Sequence, residues 1–517
     1  MHRNNGVMSL LRIVVGIFGF QIFLICIGCG NHMPYKSDIV PISKGLNLLD
    51  TYSMIINQNP KDDHAYMRRC KEYIRQGNYN EAINDVNKAL DLNPRINEYY
   101  LLKGYLYELM GDTINADQSF AGAIILDKNV EWTAAFIRGG VIKNELECTI
   151  PMANQGGVWV IPVTVNNNPD TLKFAVDTGG WTIINPRIAN KLHIDADSKM
   201  YNSPIGKIRG VRIDRIAIGD WVFTNTTAAI SSELDCSVDG IIGANILSKS
   251  IVTIDGQTSE LTIGDIPRPR NSAFECDITI SLYDLFQPIV KSIISGHDQE
   301  LLCIDTGFRG GILLSDKINS TGLSPHEDTG IFMNKRFVGV QKFKIFPKVL
   351  DQMSIGPLEM TNVYIGQGGD RGVIGNSFLR NFRVTVDYLH GKLLLDPYKR
   401  QVIIDKSWYH LIRGNGFCLA SQFKDALYEY SMALGENPDC LDPYIYTGRI
   451  YYTDGKYTEA IKYYTMALQR SPRMFGLLRL RSQAYFQAGN WAQGMADYYE
   501  AERMSREDGD DSGLLSN

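Results

Sequence analysis

Phe174-Ala175-Val176-Asp177-Thr178-Gly179 and Leu302-Cys303-Ile304-Asp305-Thr306-Gly307 are two copies of one arrangement, a hydrophobic run closed by Asp-Thr-Gly. A single Asp-Thr-Gly carries little information, because Asp and Gly are ordinary turn residues. The segments beyond the two copies decide the matter. Asp239-Gly240-Ile241-Ile242-Gly243-Ala244-Asn245 lies downstream of the first and Arg371-Gly372-Val373-Ile374-Gly375-Asn376 downstream of the second, with Gly243 and Gly375 standing 66 and 70 residues after their aspartates. The correspondence continues outward. Ile218-Gly219 answers Ile355-Gly356, and Ile251-Val252-Thr253-Ile254-Asp255 answers Val384-Thr385-Val386-Asp387. An internal repeat of this kind records a duplicated structural unit. Alternating, β-branched stretches such as Val158-Trp159-Val160-Ile161-Pro162-Val163 predict that each unit is a lobe of short strands.

On these motifs, residues about 150 to 400 resemble the two-lobed aspartic proteases of the pepsin and retropepsin type. The resemblance implies an all-β bilobed domain, with lobes over 145–265 and 272–400, in which Asp177 and Asp305 form a catalytic dyad. It also implies that Thr178 and Thr306 lock the two loops by reciprocal hydrogen bonds, and that Gly179 and Gly307 permit the tight turn and present N–H groups to the carboxylates. Gly243 and Gly375 thread under the loops in the same pattern. One chain supplies both aspartates, so the site needs no dimerisation. The chemistry expected is hydrolysis of an extended peptide or protein substrate by a water activated between two carboxyls that share one proton. A hairpin flap is expected over Met200 to Val211.

Two positions depart from the family pattern. The residue after Asp-Thr-Gly is usually Ser, Thr or Ala, whereas Gly180 and Phe308 stand here. Neither supplies a hydroxyl to a carboxylate, which predicts a dyad that titrates higher and a less acidic optimum. Phe308 is also expected to place bulk beside the dyad. These departures keep open an alternative, a catalytically inactive scaffold that binds peptide without cutting it.

Helical repeats of another kind flank this domain. Pro60, Pro94 and Lys128 are 34 residues apart, as are Pro438 and Pro472, the period of the tetratricopeptide helix-turn-helix. In that frame Gly104, Ala116, Phe120 and Ala123 answer Gly414, Ala426, Tyr430 and Ala433, then Gly448, Ala460, Tyr464 and Ala467. The frame predicts all-α hairpin arrays, two repeats over 60–130 and three over 405–508, the last altered by Ser482 and Gly494. Residues 29–59 read as a linker with a cap helix, and the acidic 509–517 as a disordered tail. Such repeats resemble peptide-binding scaffolds, which implies a protein partner on the concave faces.

At the N-terminus Arg3 and Arg12 precede an apolar run from Ile13 to Ile27 that ends in Gly28-Cys29. This reads as an export signal over 1–28, and Gly28-Cys29 resembles a bacterial lipoprotein box with Cys29 as the lipidated residue. The reading predicts a membrane-anchored protein of the cell envelope facing the periplasm or exterior, with a retained anchor as the alternative. Composition fits a multidomain globular chain: 517 residues, 44% hydrophobic, 21% charged. A net charge of −5 gives no pull towards nucleic acid. Eight dispersed histidines show no His-Glu-x-x-His, and the one Cys-x-x-Cys, Cys26 to Cys29, falls within the export segment and its lipoprotein box, so neither metal nor cofactor is expected. Nine scattered cysteines reveal no disulfide framework.

Overall fold

The computed structural model describes residues 48–507, apart from 167, 195–197, 204–205, 232–237, 267–273, 282–285, 295–297, 318–329, 337–338, 370 and 400–405. The export signal, Cys29, the residues around Cys236, the tip of the expected flap and the tail lie outside the described residues. No helix among those described is long and apolar enough to cross a membrane.

The duplicated segments fold as two related β units. In the first, Leu172–Asp177 lies between Val158–Val165 and Gly240–Gly243. The pairing with Gly240–Gly243 is parallel and sets Gly243 beside Asp177. In the second, Asp298–Ile304 lies between Gln287–Ile294 and Gly372–Ile374, the latter again parallel. Strands this fully enclosed carry continuous apolar runs, which is why Phe174-Ala175-Val176 and Leu302-Cys303-Ile304 read as they do. A strand absent from the sequence reading, Gly140–Lys143, joins the first unit by pairing with Trp221–Ile230.

A sheet shared by the two units joins them. Glu147–Pro151, Glu260–Gly264 and Ile251–Asp255 contribute one half, and Phe382–Asp387, Lys392–Pro397 and Phe274–Ser281 the other. The halves meet antiparallel where Ile251–Asp255 pairs with Phe382–Asp387. Thr253 faces Thr385 at that seam, and their buried hydroxyls hydrogen-bond at 2.8 Å. Equivalent residues therefore meet across a pseudo-two-fold axis, and one apolar core runs through both units.

Helical hairpins precede and follow the β domain. Asp63–Arg75 with Tyr79–Leu92 and Asn97–Leu109 with Thr113–Leu126 come first, preceded by Leu48–Gln58. Ser407–Leu419 with Phe423–Glu436, Leu441–Thr453 with Tyr457–Arg470, and Phe475–Gln487 with Trp491–Glu507 come after. The periodic residues do one job. A Cβ at Gly104, Gly414 or Gly448 would strike the ring of Phe120, Tyr430 or Tyr464, so the glycine lets the paired helix approach the ring. The alanines of the frame are wholly buried. In the final hairpin the small residues exchange roles: Ser482 is the larger, and its hydroxyl donates to the Gly494 carbonyl at 2.7 Å.

Both arrays pack on the β domain. Phe286 and Ala244 enter the core of the first array, and Phe308, Leu313, Ile345 and Val373 share a core with Trp408, Ile412 and Tyr430 of the second. Cys70, Cys148, Cys303 and Cys418 are buried as small apolar groups.

The seam is open to a direct measurement. Thr253→Val and Thr385→Val each strand the other hydroxyl in a buried place, at a cost of about 1–3 kcal/mol. The double substitution removes both polar groups and is expected to cost less than the sum of the singles in a denaturation cycle.

Candidate active site

The loops after Leu172–Asp177 and Asp298–Ile304 meet at the pseudo-two-fold axis, and two threonines clasp them. The Thr178 N–H donates to Thr306 Oγ1 and the Thr306 N–H to Thr178 Oγ1, both at 3.1 Å. Each hydroxyl then donates into the opposite strand, Thr178 Oγ1 to the Ile304 carbonyl at 2.7 Å and Thr306 Oγ1 to the Val176 carbonyl at 2.9 Å. All four bonds cross between the lobes, and both threonines are buried. Serine could make these bonds too, but the branched threonine side chain is held to few rotamers.

The clasp brings Asp177 and Asp305 together, with exposures of 0% and 1%. Gly179 N–H donates to Asp177 Oδ1 at 2.9 Å, and Phe308 N–H to Asp305 Oδ1 at 2.8 Å. Neither Gly179 nor Gly307 lies in the left-handed region. Glycine is needed here for close approach: a Cβ on Gly179 would overlap the Asp305 carboxyl carbon, and one on Gly307 would come within 2.5 Å of that of Asp177. The reason expected from sequence, a tight turn needing unusual backbone angles, is corrected to this contact.

Burial pushes the Asp177 carboxyl well above its ordinary range, and the neighbouring Asp305 charge pushes it further. Two ionised carboxylates offer each other no donor, which leaves Asp177 Oδ2 buried without a partner. One proton placed between Asp177 and Asp305 supplies the missing bond.

Gly243 and Gly375 pack against the loops from equivalent directions. A Cβ on Gly243 would overlap the Trp181 backbone, and one on Gly375 would overlap the Phe308 ring. The residues after them hold the loops: Ala244 N–H donates to the Gly180 carbonyl and Asn376 N–H to the Phe308 carbonyl, each at 2.7 Å.

The two departures have structural explanations. A Cβ on Gly180 would overlap Asp177 Oδ2, so the carboxylate occupies the space that a side chain would need. Phe308 leaves the dyad's surroundings. Its ring is 1% exposed within the core of the second array, 5.2 Å from Trp408 and edge-on to it, and only its N–H serves the carboxylate. The expectation of bulk beside the dyad is thus corrected.

Several residues near the site had no signal in the sequence. Gln287 donates to the Gly179 carbonyl across the lobes, and Arg371 donates to Gln287 Oε1. Asn245 Oδ1 accepts from both the N–H and the hydroxyl of Thr182, at 2.8 and 2.9 Å. The Tyr388 hydroxyl is buried without a hydrogen-bond partner, and the charges of Asp177 and Asp305 add to the burial that raises its pKa. Asn245 was within reach of sequence reasoning, two residues past Gly243. The others join the site only by folding. The expected flap is a hairpin of Lys199–Ser203 with Gly206–Ile218, and Ile208 packs in one cluster with Trp181. No group of His, Cys, Asp and Glu among the described residues could hold a metal.

Family models match both kinds of domain. Residues 161–246 match the aspartyl protease family model, and tetratricopeptide models match 64–96, 420–475 and 447–511. The chain therefore carries an aspartyl-protease-type domain flanked by tetratricopeptide repeats. Among curated proteins, a Protein SGT1 homolog from Oryza sativa subsp. japonica is 38% identical over 55 residues, 11% of this chain and 15% of that relative. The chain thus spans a small part of that relative's length. Among solved structures, the aspartic proteinase from Irpex lacteus aligns with a TM-score of 0.33 and 16% identity, over 49% of this chain and 98% of its own.

The raised Asp177 carboxyl has a consequence for stability. Above about pH 4, where an unfolded aspartate has released its proton, the folded chain still holds one, so stability falls as pH rises towards the folded value. Asp177→Asn is expected to abolish this decline and to melt higher than the parent at neutral pH, as calorimetry over a pH series will test.

Proposed function

We propose that the domain over 145–400 is an aspartic endopeptidase. The ionised member of the Asp177–Asp305 pair takes a proton from a bound water as that water attacks a peptide carbonyl. The protonated member donates to the carbonyl oxygen, and no covalent intermediate forms. The observation that carries this reading is the meeting of two buried carboxyls, with that of Asp177 raised, in a clasp that sets them side by side. With a higher-titrating dyad, the optimum belongs in mildly acid buffer rather than strongly acid buffer.

The substrate class is an extended peptide or protein segment. The concave faces of the helical arrays recruit substrate or a protein partner, and Cys29 carries a lipid that tethers the enzyme at the cell envelope. Cys29→Ala is expected to move the protein from the membrane fraction to the soluble fraction; an unchanged distribution counts against lipidation.

Incubation of the full-length chain with a diverse peptide mixture, read by mass spectrometry, tests the chemistry. Asp177→Asn and Asp305→Asn should each lower cleavage on the order of 10⁴-fold. Absence of cleavage by the parent from strongly acid to neutral buffer would defeat the enzyme reading. A second reading, a scaffold that binds peptide without cutting it, is favoured by the near-complete burial of both aspartates. Peptide capture without cleavage by the parent is its signature.

A further inference from the structure

The two aspartate loops share a feature that the lobes themselves do not require. Each continues into a large aromatic, Trp181 four residues after Asp177 and Phe308 three after Asp305. Each aromatic meets a tryptophan from the helical region beside it, Trp181 from within a cluster of first-lobe residues and Phe308 from within the core of the second array. Trp132, on the helix Glu131–Ile137 that follows the first array, stands edge-on to Trp181 at 4.5 Å between ring centroids. Trp408, on the first helix of the second array, stands edge-on to Phe308 at 5.2 Å. All four rings are buried, with exposures of 1 to 4%.

These contacts reach the acids in a few bonds. Phe308 donates its N–H to Asp305 Oδ1, and Trp181 follows Gly180, whose missing Cβ makes room for Asp177 Oδ2. The helix Glu131–Ile137 also holds the hairpin beside the site, through the Glu131–Lys199 ion pair at 2.9 Å and the Phe136 ring 6.3 Å from that of Tyr201. A third link runs from the first array. Phe286 is buried in that array's core, 5.1 Å from Tyr105, at a positive φ of 69° that a bulky residue adopts only when its surroundings impose it. The next residue is Gln287, which donates to the Gly179 carbonyl.

We propose that the helical regions on either side of the β domain are part of the catalytic framework, and that Trp132 and Trp408 are positioning residues which fix the two aspartate loops through Trp181 and Phe308. The proposal rests on the protease reading for its consequence in catalysis, and not for the geometry itself. The clasp between Thr178 and Thr306 holds the loops to each other; the tryptophans hold each loop from behind. Loss of either tryptophan lets its loop relax towards the vacated space and draws one carboxyl away from the other.

The test uses the full-length chain with Trp132→Ala, Trp408→Ala, the conservative Trp132→Phe and Trp408→Phe, and Tyr464→Ala as a control that damages the second array far along the chain from the loops. The primary measurement is the titration of the two carboxyl carbons by ¹³C NMR of aspartate-labelled protein, assigned through the signals lost in Asp177→Asn and Asp305→Asn. In the parent the pair is expected to titrate in two separated steps. In the alanine variants the upper step should fall towards the ordinary aspartate range, the phenylalanine variants should restore it, and Tyr464→Ala should lower the melting temperature alone. Where cleavage is measured, kcat should fall about 100-fold in the alanine variants with KM little changed, as expected for misplaced groups rather than lost binding. Parent-like titration in both alanine variants, with only their melting affected, overturns the proposal. Separated steps in a parent that cuts no peptide, and their collapse in the variants, sustain the positioning role while removing the enzyme reading. A parent without separated steps overturns both.

Discussion

Four hydrogen bonds between Thr178 and Thr306 and the strands on the opposite side hold this molecule's site together. Two acids in a dry interior repel one another, and nothing in either lobe alone would keep them adjacent. The clasp acts at the point of repulsion. It gives two backbone N–H groups and two strand carbonyls hydrogen-bond partners across the lobes. The shared sheet acts at a second point on the same axis, where Thr253 and Thr385 bond hydroxyl to hydroxyl. Because equivalent residues pair with each other at both places, the two lobes have little freedom to slide.

The loops are also held from outside. Gly243 and Gly375 press against them in the β domain, and Trp132 and Trp408 meet the aromatics that emerge from them. Phe308 shows how one residue serves both arrangements, with its N–H on Asp305 and its ring in the core of the second array. Repeats this few cannot bury their own end faces, so the β domain stabilises the arrays while the arrays brace the loops.

Much of this was legible before folding because it is periodic or duplicated. The 34-residue frame picked out Gly104, Phe120, Gly448 and Tyr464 as recurring positions, and the structure sets each ring against its glycine. The paired Asp-Thr-Gly segments pointed to two loops, and Asp177 and Asp305 do meet. What escaped the sequence has no period. Gln287 and Arg371 approach Gly179 from the other lobe, and Gly140–Lys143 is too short and exposed to announce itself as a strand.

By itself the sequence determined the duplication, the strand character of the central region, the helical frame on either side and the two acids that meet, because each is written in local spacing and residue type. Only the tertiary structure decided where the Phe308 ring goes, why Gly180 must lack a side chain, and which helices stand behind each aspartate loop. Those outcomes depend on which surfaces share a buried volume. Trp408 and Phe308 are 100 residues apart in the chain, and it is the exclusion of water from the space between array and lobe that brings them into contact.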